Sequence, residues 1–315
     1  MVTLESFSLE SLTEAKRRRF AICDALQRRT GRQLVFARSD ALELLAVEQP
    51  IEPASERLRT EVDVVVDSRS KRSKLNGVRT LVWNGNIIST EVGRNVECLD
   101  AVSAWAHYAG ILSLEELIVL ADSMMRRDGR LCRAEPEDFR TYLDHAGQFL
   151  GVRNCKRALA LMRPNTDSSQ ETRTRLALLR YGLPEPEVNH PVCIGGGRTV
   201  WLDMAYGELR IAIEYDGGYH RFSGEQVLRD DARRRALEAL GWIYVKVTKL
   251  DLANVDSQEA LAQIIASKIE MVLGVPVPLA PRMTDRQICD ARRSKKTPLW
   301  HSIPREHWIA PWARA

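Results

Sequence analysis

Asp203, Glu214 and Asp216 are the residues of this chain whose types and spacing suit chemistry on a phosphate. If Tyr206 and Leu209 flank a two-residue hairpin turn at Gly207-Glu208, Asp203 faces Ala212 and Glu214 lies on the diagonal of the same sheet face. Asp216 follows two residues later, again on that face. Like charges gathered in a partly dry cleft are costly unless protons or cations compensate them. Their oxygen donors suit Mg²⁺ or Mn²⁺, which lower the pKa of an attacking water and stabilise charge on phosphate oxygens. Asp203 is the expected bridging ligand, Glu214 a second ligand or water-positioning carboxylate, and Asp216 a ligand or proton acceptor. The competing reading is an ordinary hairpin with a solvated polar face.

Two further groups stand close in sequence to that centre. Gly217-Gly218 permits a tight backbone turn and presents His220, whose imidazole can take a proton, donate one to a leaving oxygen or bind metal. A structural hydrogen bond is its alternative role. Ser168-Ser-Gln-Glu171 fits a helix capping box, and Glu171 at that helix start can equally reach a metal directly or through water. Arg229 and Arg233, one helical turn apart, are expected phosphate contacts, as is Lys246 if its strand reaches the cleft. Charge pairing along a solvated helix face is the alternative for the two arginines.

The elements that must position these groups occupy the second half. The pattern predicts a helix over 169–181, a stop at Gly182, and strands over 187–193, 199–206 and 209–215. A helix over 225–240, a strand over 242–247 and a helix near 257–271 follow. This order predicts a compact mixed α/β domain over 166–275. Beyond it, residues 276–315 form a basic tail with prolines at 276, 278 and 281 and tryptophans at 300, 308 and 312. Those tryptophans are expected to bury against the body or a protein partner.

Residues 1–165 read as a helical or mixed recognition module. A basic amphipathic helix over 12–26 and a short helix over 41–45 could build a helix-turn-helix or winged-helix unit, or a packing module with a solvated Lys16–Arg19 face. Strands are expected over 61–66 and 78–83, the second turning at Asn84-Gly85 into Ile87-Ile88. Helices follow near 99–108, 114–125, 137–150 and 154–162, and the domain break falls near 165.

Composition narrows the partners. With 46 Lys plus Arg against 42 Asp plus Glu, the formal charge of +4 permits nucleic-acid contact without requiring it. The six cysteines contain no CxxC pair, which argues against a structural zinc site or a disulfide scaffold. No run approaches the roughly 20 apolar residues of a membrane span, and the start lacks a secretory pattern, so the expectation is a cytoplasmic protein with no membrane partner. Gly195-Gly-Gly197 leads into a strand rather than a helix, unlike a dinucleotide loop.

Ser168-x-x-Glu171, Gly182-Leu-Pro184, Trp201-Leu-Asp203, the Ile211 to His220 stretch IAIEYDGGYH, Arg229-Asp230-x-x-Arg233 and Gly241-Trp242 together resemble the DUF559 family. That family is related to very short patch repair endonucleases in the PD-(D/E)XK nuclease superfamily. The resemblance covers residues 168–247. It implies a restriction-endonuclease-like α/β fold and Mg²⁺- or Mn²⁺-dependent cleavage of nucleic acid, DNA rather than RNA. By it, Glu171 matches the glutamate of the leading helix, Asp203 the central metal-binding aspartate and Glu214 the acid of the Glu-x-Lys element. Asp216 stands where the superfamily has lysine. The very short patch repair relatives also lack that lysine and are histidine-rich near the strand, which makes His220 the functional substitute. The departure equally permits an inactive binding domain. Residues 1–165 faintly resemble regulator-like modules of the AbiEi antitoxin type, which implies substrate targeting, autoregulation or a role in defence.

Overall fold

Ser8 starts the first helix: its Oγ accepts a hydrogen bond from the Ser11 backbone N–H at 3.2 Å, and Gly31 ends the helix at φ +61°. This helix, α1 (Leu9–Thr30), is the first element of a computed structural model that describes residues 8–57, 60–217, 224–290, 298–310 and 312. The chain divides into two compact units, Met1–Ser169 and Gln170–Ala315.

In the first unit α1 is followed by β1 (Val35–Phe36), α2 (Arg38–Leu44), α3 (Ala54–Arg57), β2 (Val62–Val66), β3 (Val78–Val82), β4 (Ser89–Val92) and β5 (Val96–Leu99). The strands form one mixed sheet in the order β3-β2-β1-β5-β4. β2 runs parallel to β3, and β1 parallel to β5, while β1–β2 and β4–β5 are antiparallel. The expected hairpin through Asn84-Gly85 is therefore corrected. β3 pairs with β2, Ile87 and Ile88 precede rather than form the next strand, and β4 pairs with β5.

Four helices complete the unit: α4 (Ala101–Tyr108), α5 (Leu114–Met124), α6 (Pro136–His145) and α7 (Val152–Leu161). Asp100 caps α4 through the Ser103 N–H at 2.7 Å, and every residue of α4 is buried. The helix expected over 137–150 stops at His145.

The Lys16–Arg19 stretch is not a uniformly solvated face. Arg19 reaches Asp40 at 2.9 Å and Glu43 at 2.6 Å, so one of its charges is spent tying α1 to α2. With β1 lying between α1 and α2 in the middle of a sheet, the pair is a sheet-packed module. A second knot of charge lies between strands and helices. Asp63 on β2 is paired with Arg79 on β3, and Glu56 accepts from both Arg79 at 2.8 Å and Arg38 at 3.0 Å. Removing one member of such a buried network leaves the others uncompensated. Asp63→Ala is expected to destabilise the first unit by about 3 kcal/mol, read as an earlier urea transition of the full chain.

The second unit opens with α8 (Ser169–Arg180) and continues with β6 (Glu187–Ile194), β7 (Arg198–Tyr206), β8 (Ile211–Asp216), α9 (Gly224–Ala239), β9 (Ile243–Thr248), α10 (Val255–Leu273) and α11 (Asp285–Ile288). Its sheet has the order β6-β7-β8-β9, antiparallel across the first two pairs and parallel at β8–β9. A parallel neighbour needs a crossover, and α9 supplies it.

Period two sorts the sheet's two faces. Ile211, Ile213, Val245 and Val247 join Leu261, Ile265 and Ile269 of α10 in the larger core, together with Leu178 and Tyr181. Ala212, Ala205 and Trp242 pack with Leu237 of α9 in the smaller one. Trp300 and Trp308 belong to the larger core, so these residues of the basic tail bury against the body of their own unit. No helix among the described residues is long and apolar enough to cross a membrane.

Candidate functional site

The β7–β8 connection is longer than a two-residue turn. A 3-10 turn over Gly207–Leu209 and Arg210 in the left-handed region (φ +50°) link the strands, and the register pairs Ala205 with Ala212 and Tyr206 with Ile211. Asp203 therefore does not face Ala212. Continued by one step, the same register sets it across from Glu214. A slip of two residues preserves sidedness, which is why the expected shared face survives the corrected pairing.

Asp203 is anchored by its backbone environment: Oδ2 accepts from the Tyr215 N–H at 2.9 Å. Glu214, buried beside it, belongs to the face that packs against α9, two residues on from Ala212. Arg233 of α9 donates to Glu214 Oε1 at 2.6 Å and to the Trp201 carbonyl at 2.5 Å. Tyr244 of β9 donates its hydroxyl to Glu214 Oε2 at 3.0 Å. Burial pushes the Glu214 carboxyl up to about 7. Arg233 and Tyr244 pull it down, while Asp203 pushes it further up. The like-charge effect records that Asp203 and Glu214 sense one another across the face.

The parallel register places Lys246 opposite Glu214, and its ammonium forms an ion pair with Asp216 Oδ2. β9 thus carries a lysine to Asp216. Tyr244 and Lys246 lie two residues apart, one contacting each acid. Tyr244 was not legible as a site residue. Period two within β9 relates it to Lys246, but only the parallel register, set by packing rather than by a turn, relates either to β8.

The other predicted site residues are distributed as follows. Glu171 is buried in the first turn of α8. Arg233 meets Glu214 rather than standing open for a phosphate. The side chain of Arg229, His220 and the 292–296 basic run lie outside the described residues. Arg234 pairs with Glu238 at 2.8 Å, one turn along α9, and its guanidinium lies over the Tyr244 ring. Among the described residues no group of three or more His, Cys, Asp or Glu is arranged to hold a metal ion. The six cysteines are free thiols.

No family model matches the chain, and no solved structure matches it. It is similar to the uncharacterized protein MT2308 of Mycobacterium tuberculosis strain CDC 1551 / Oshkosh, with 29% identity over 102 residues. The uncharacterized protein Rv2248 of strain H37Rv matches to the same extent. The match covers 32% of this chain and 38% of each relative.

Proposed function

We propose that the second unit hydrolyses nucleic-acid phosphodiester bonds, DNA in preference to RNA, with Mg²⁺ or Mn²⁺ bound at Asp203 and Glu214. The carrying observation is the buried Glu214 carboxyl beside Asp203, on a sheet face where Lys246 brings an ammonium to Asp216. The order helix, antiparallel strands, crossover helix, parallel strand supports a restriction-endonuclease-like reading of the unit.

The donor set fits a hard divalent cation, because both groups offer carboxylate oxygens. When bound, such an ion supplies an activated water and charge stabilisation at the phosphate. The chain's own residues do the rest. Asp203, held by the Tyr215 N–H, keeps an oriented carboxylate on β7. Arg233 holds Glu214 Oε1 at 2.6 Å, and if Glu214 held a cation instead, that guanidinium would be available to a phosphate oxygen. Lys246 neutralises Asp216, and in this reading its ammonium stabilises charge on a phosphate oxygen. Glu171 and His220 are the supporting acid and the proton-transfer group of this reading. The first unit then acts as the recognition module, in defence or repair.

A second reading is a catalytically inactive nucleic-acid-binding or antitoxin-like regulatory protein. One observation favours it: Arg233 and Lys246 already neutralise two of the three acids from within the protein. Purified full-length chain incubated with single- and double-stranded DNA and RNA, in Mg²⁺, Mn²⁺ or chelator, separates the two. The nuclease reading expects products with metal and none with chelator; binding without products across that panel selects the regulator. Within the nuclease reading, Lys246→Gln is expected to lower the cleavage rate by roughly 10²-fold, the effect of losing one positioned charge at a developing anion, measured in single-turnover assays.

A further inference from the structure

The first unit contains a cavity of about 480 Å³ between α1 and the segment around Leu131. Its floor is apolar, with Phe20 and Leu131 among the lining, while Lys16, Arg17, Arg130 and Arg133 supply the charge. None of the described residues that line it is acidic.

The four cations differ in how they are satisfied. Arg130 is held by Asp128 at 2.7 Å and Arg17 reaches Glu14 at 3.9 Å. Arg133 donates to the backbone carbonyls of Leu45, Arg130 and Cys132, neutral acceptors that leave its charge uncompensated. Lys16 is half-buried and makes no hydrogen bond or ion pair with any described residue. Its pKa is lowered, first by burial and then by the neighbouring Arg133 charge. An ammonium kept partly out of water beside a second cation is unfavourable unless an anion compensates both. Solvent-facing lysines extend away from such a neighbour.

We propose that this cavity is a binding site for a small amphipathic anion, an apolar body seated on Phe20 and Leu131 with its carboxylate or phosphate head between Lys16 and Arg133. The volume falls in the range of small-molecule pockets, roughly 300–1,000 Å³, and the combination of an apolar floor with a few convergent polar groups is what such pockets share. Bulk nucleic acid is less well suited, because a phosphate backbone asks for an open basic surface rather than an apolar floor. Since the cavity lies wholly within the first unit, it holds whether or not the second unit cleaves anything.

The test uses full-length protein and 8-anilinonaphthalene-1-sulfonate, an apolar anion that fluoresces when seated. Saturable binding is expected, displaced by dodecanoate and by dodecyl phosphate, with the tighter of the two naming the head group. Lys16→Met, which keeps the aliphatic stem, should weaken dye and alkyl anion binding about 10-fold or more without lowering the thermal midpoint. Lys16→Arg, which keeps the charge, should bind within about threefold of wild type. Unchanged dye affinity in Lys16→Met overturns the site. Equal displacement by dodecanol removes the anion from the proposal, displacement by inorganic phosphate alone removes the apolar body, and displacement by a short DNA duplex reassigns the surface to nucleic acid. If Lys16→Met does not fold, Thr13→Glu, which sets an acid in the lining, replaces it: alkyl anion binding weakened about 10-fold or more supports the site, and unchanged binding overturns it.

Discussion

Asp203→Ala is expected to abolish metal-dependent cleavage, with a loss of at least about 10³-fold, or roughly 4 kcal/mol of transition-state stabilisation. The size follows from what a divalent cation would contribute in the proposed reading, several kcal/mol of charge stabilisation at the phosphate, through a carboxylate that the backbone holds in place. Its Oδ2 is aligned by the Tyr215 N–H, so little reorganisation precedes binding. Alanine also leaves that N–H without its acceptor, a structural cost of about 1 kcal/mol. Asp203→Asn separates the two effects, since an amide carbonyl still accepts from Tyr215 but carries no charge for a cation. Both variants should lose cleavage equally in single-turnover assays, with only the alanine variant melting earlier. Full activity in the asparagine variant would sink the assignment of Asp203 as a metal ligand.

Much of the second unit was legible because its signals are local. The alternation along 199–206 and the amphipathic run of α9 identify those elements without reference to anything distant. The shared face of Asp203 and Glu214 is legible too, although the connection between their strands is a 3-10 turn rather than a two-residue hairpin. Lengthening the connection through Arg210 moved the register by two, and two is the sheet's own period. What period two could not supply was the neighbour on the other side. Lys246 and Tyr244 reach β8 by a parallel pairing across a helical crossover, and Arg233 finds Glu214 because α9 packs over that face of the sheet. An i,i+4 reading of Arg229 and Arg233 names a helix face without saying that a carboxylate lies under it.

The first unit was less legible for a physical reason of its own. β1 is two residues long, too short for any periodicity to show, yet it is the central strand that joins β2 to β5. Without it the preceding and following helices read as a helix-turn-helix. Asn84-Gly85 has the chemistry of a hairpin turn, but β3 stays the sheet's edge strand, paired with β2, and the chain after the turn crosses to pair β4 with β5 at the opposite edge. A local turn preference of this kind yields to a tertiary pairing that buries Val62, Val64 and Val65.

Glu214→Gln is expected to gain stability relative to wild type as pH rises in the metal-free protein while losing cleavage, two effects of opposite sign from one carboxyl. In the fold, burial raises this group from 4.5 to about 7. A raised folded pKa means the native state holds its proton where the unfolded chain has lost it. The resulting stability is fully present below the unfolded value and is lost as pH rises through about 7. The gap corresponds to on the order of 3 kcal/mol between the protonated and ionised native states. Glutamine, like the protonated form, is uncharged at every pH, but it keeps one acceptor oxygen where Arg233 and Tyr244 both donate. With chelator present, its melting temperature relative to wild type should therefore rise by roughly 5–10 °C between pH 5 and pH 8. If Glu214 is a metal ligand as proposed, Mn²⁺ should narrow that difference at pH 8 by raising the wild-type midpoint alone. Cleavage should fall about 10²-fold in the variant, because an amide neither holds the cation nor positions its water. Thermal melts across pH with and without Mn²⁺ check both halves. A merely solvated sheet acid predicts no pH-dependent gain, and a purely structural Glu214–Arg233 pair predicts that glutamine lowers the midpoint at pH 8 regardless of metal.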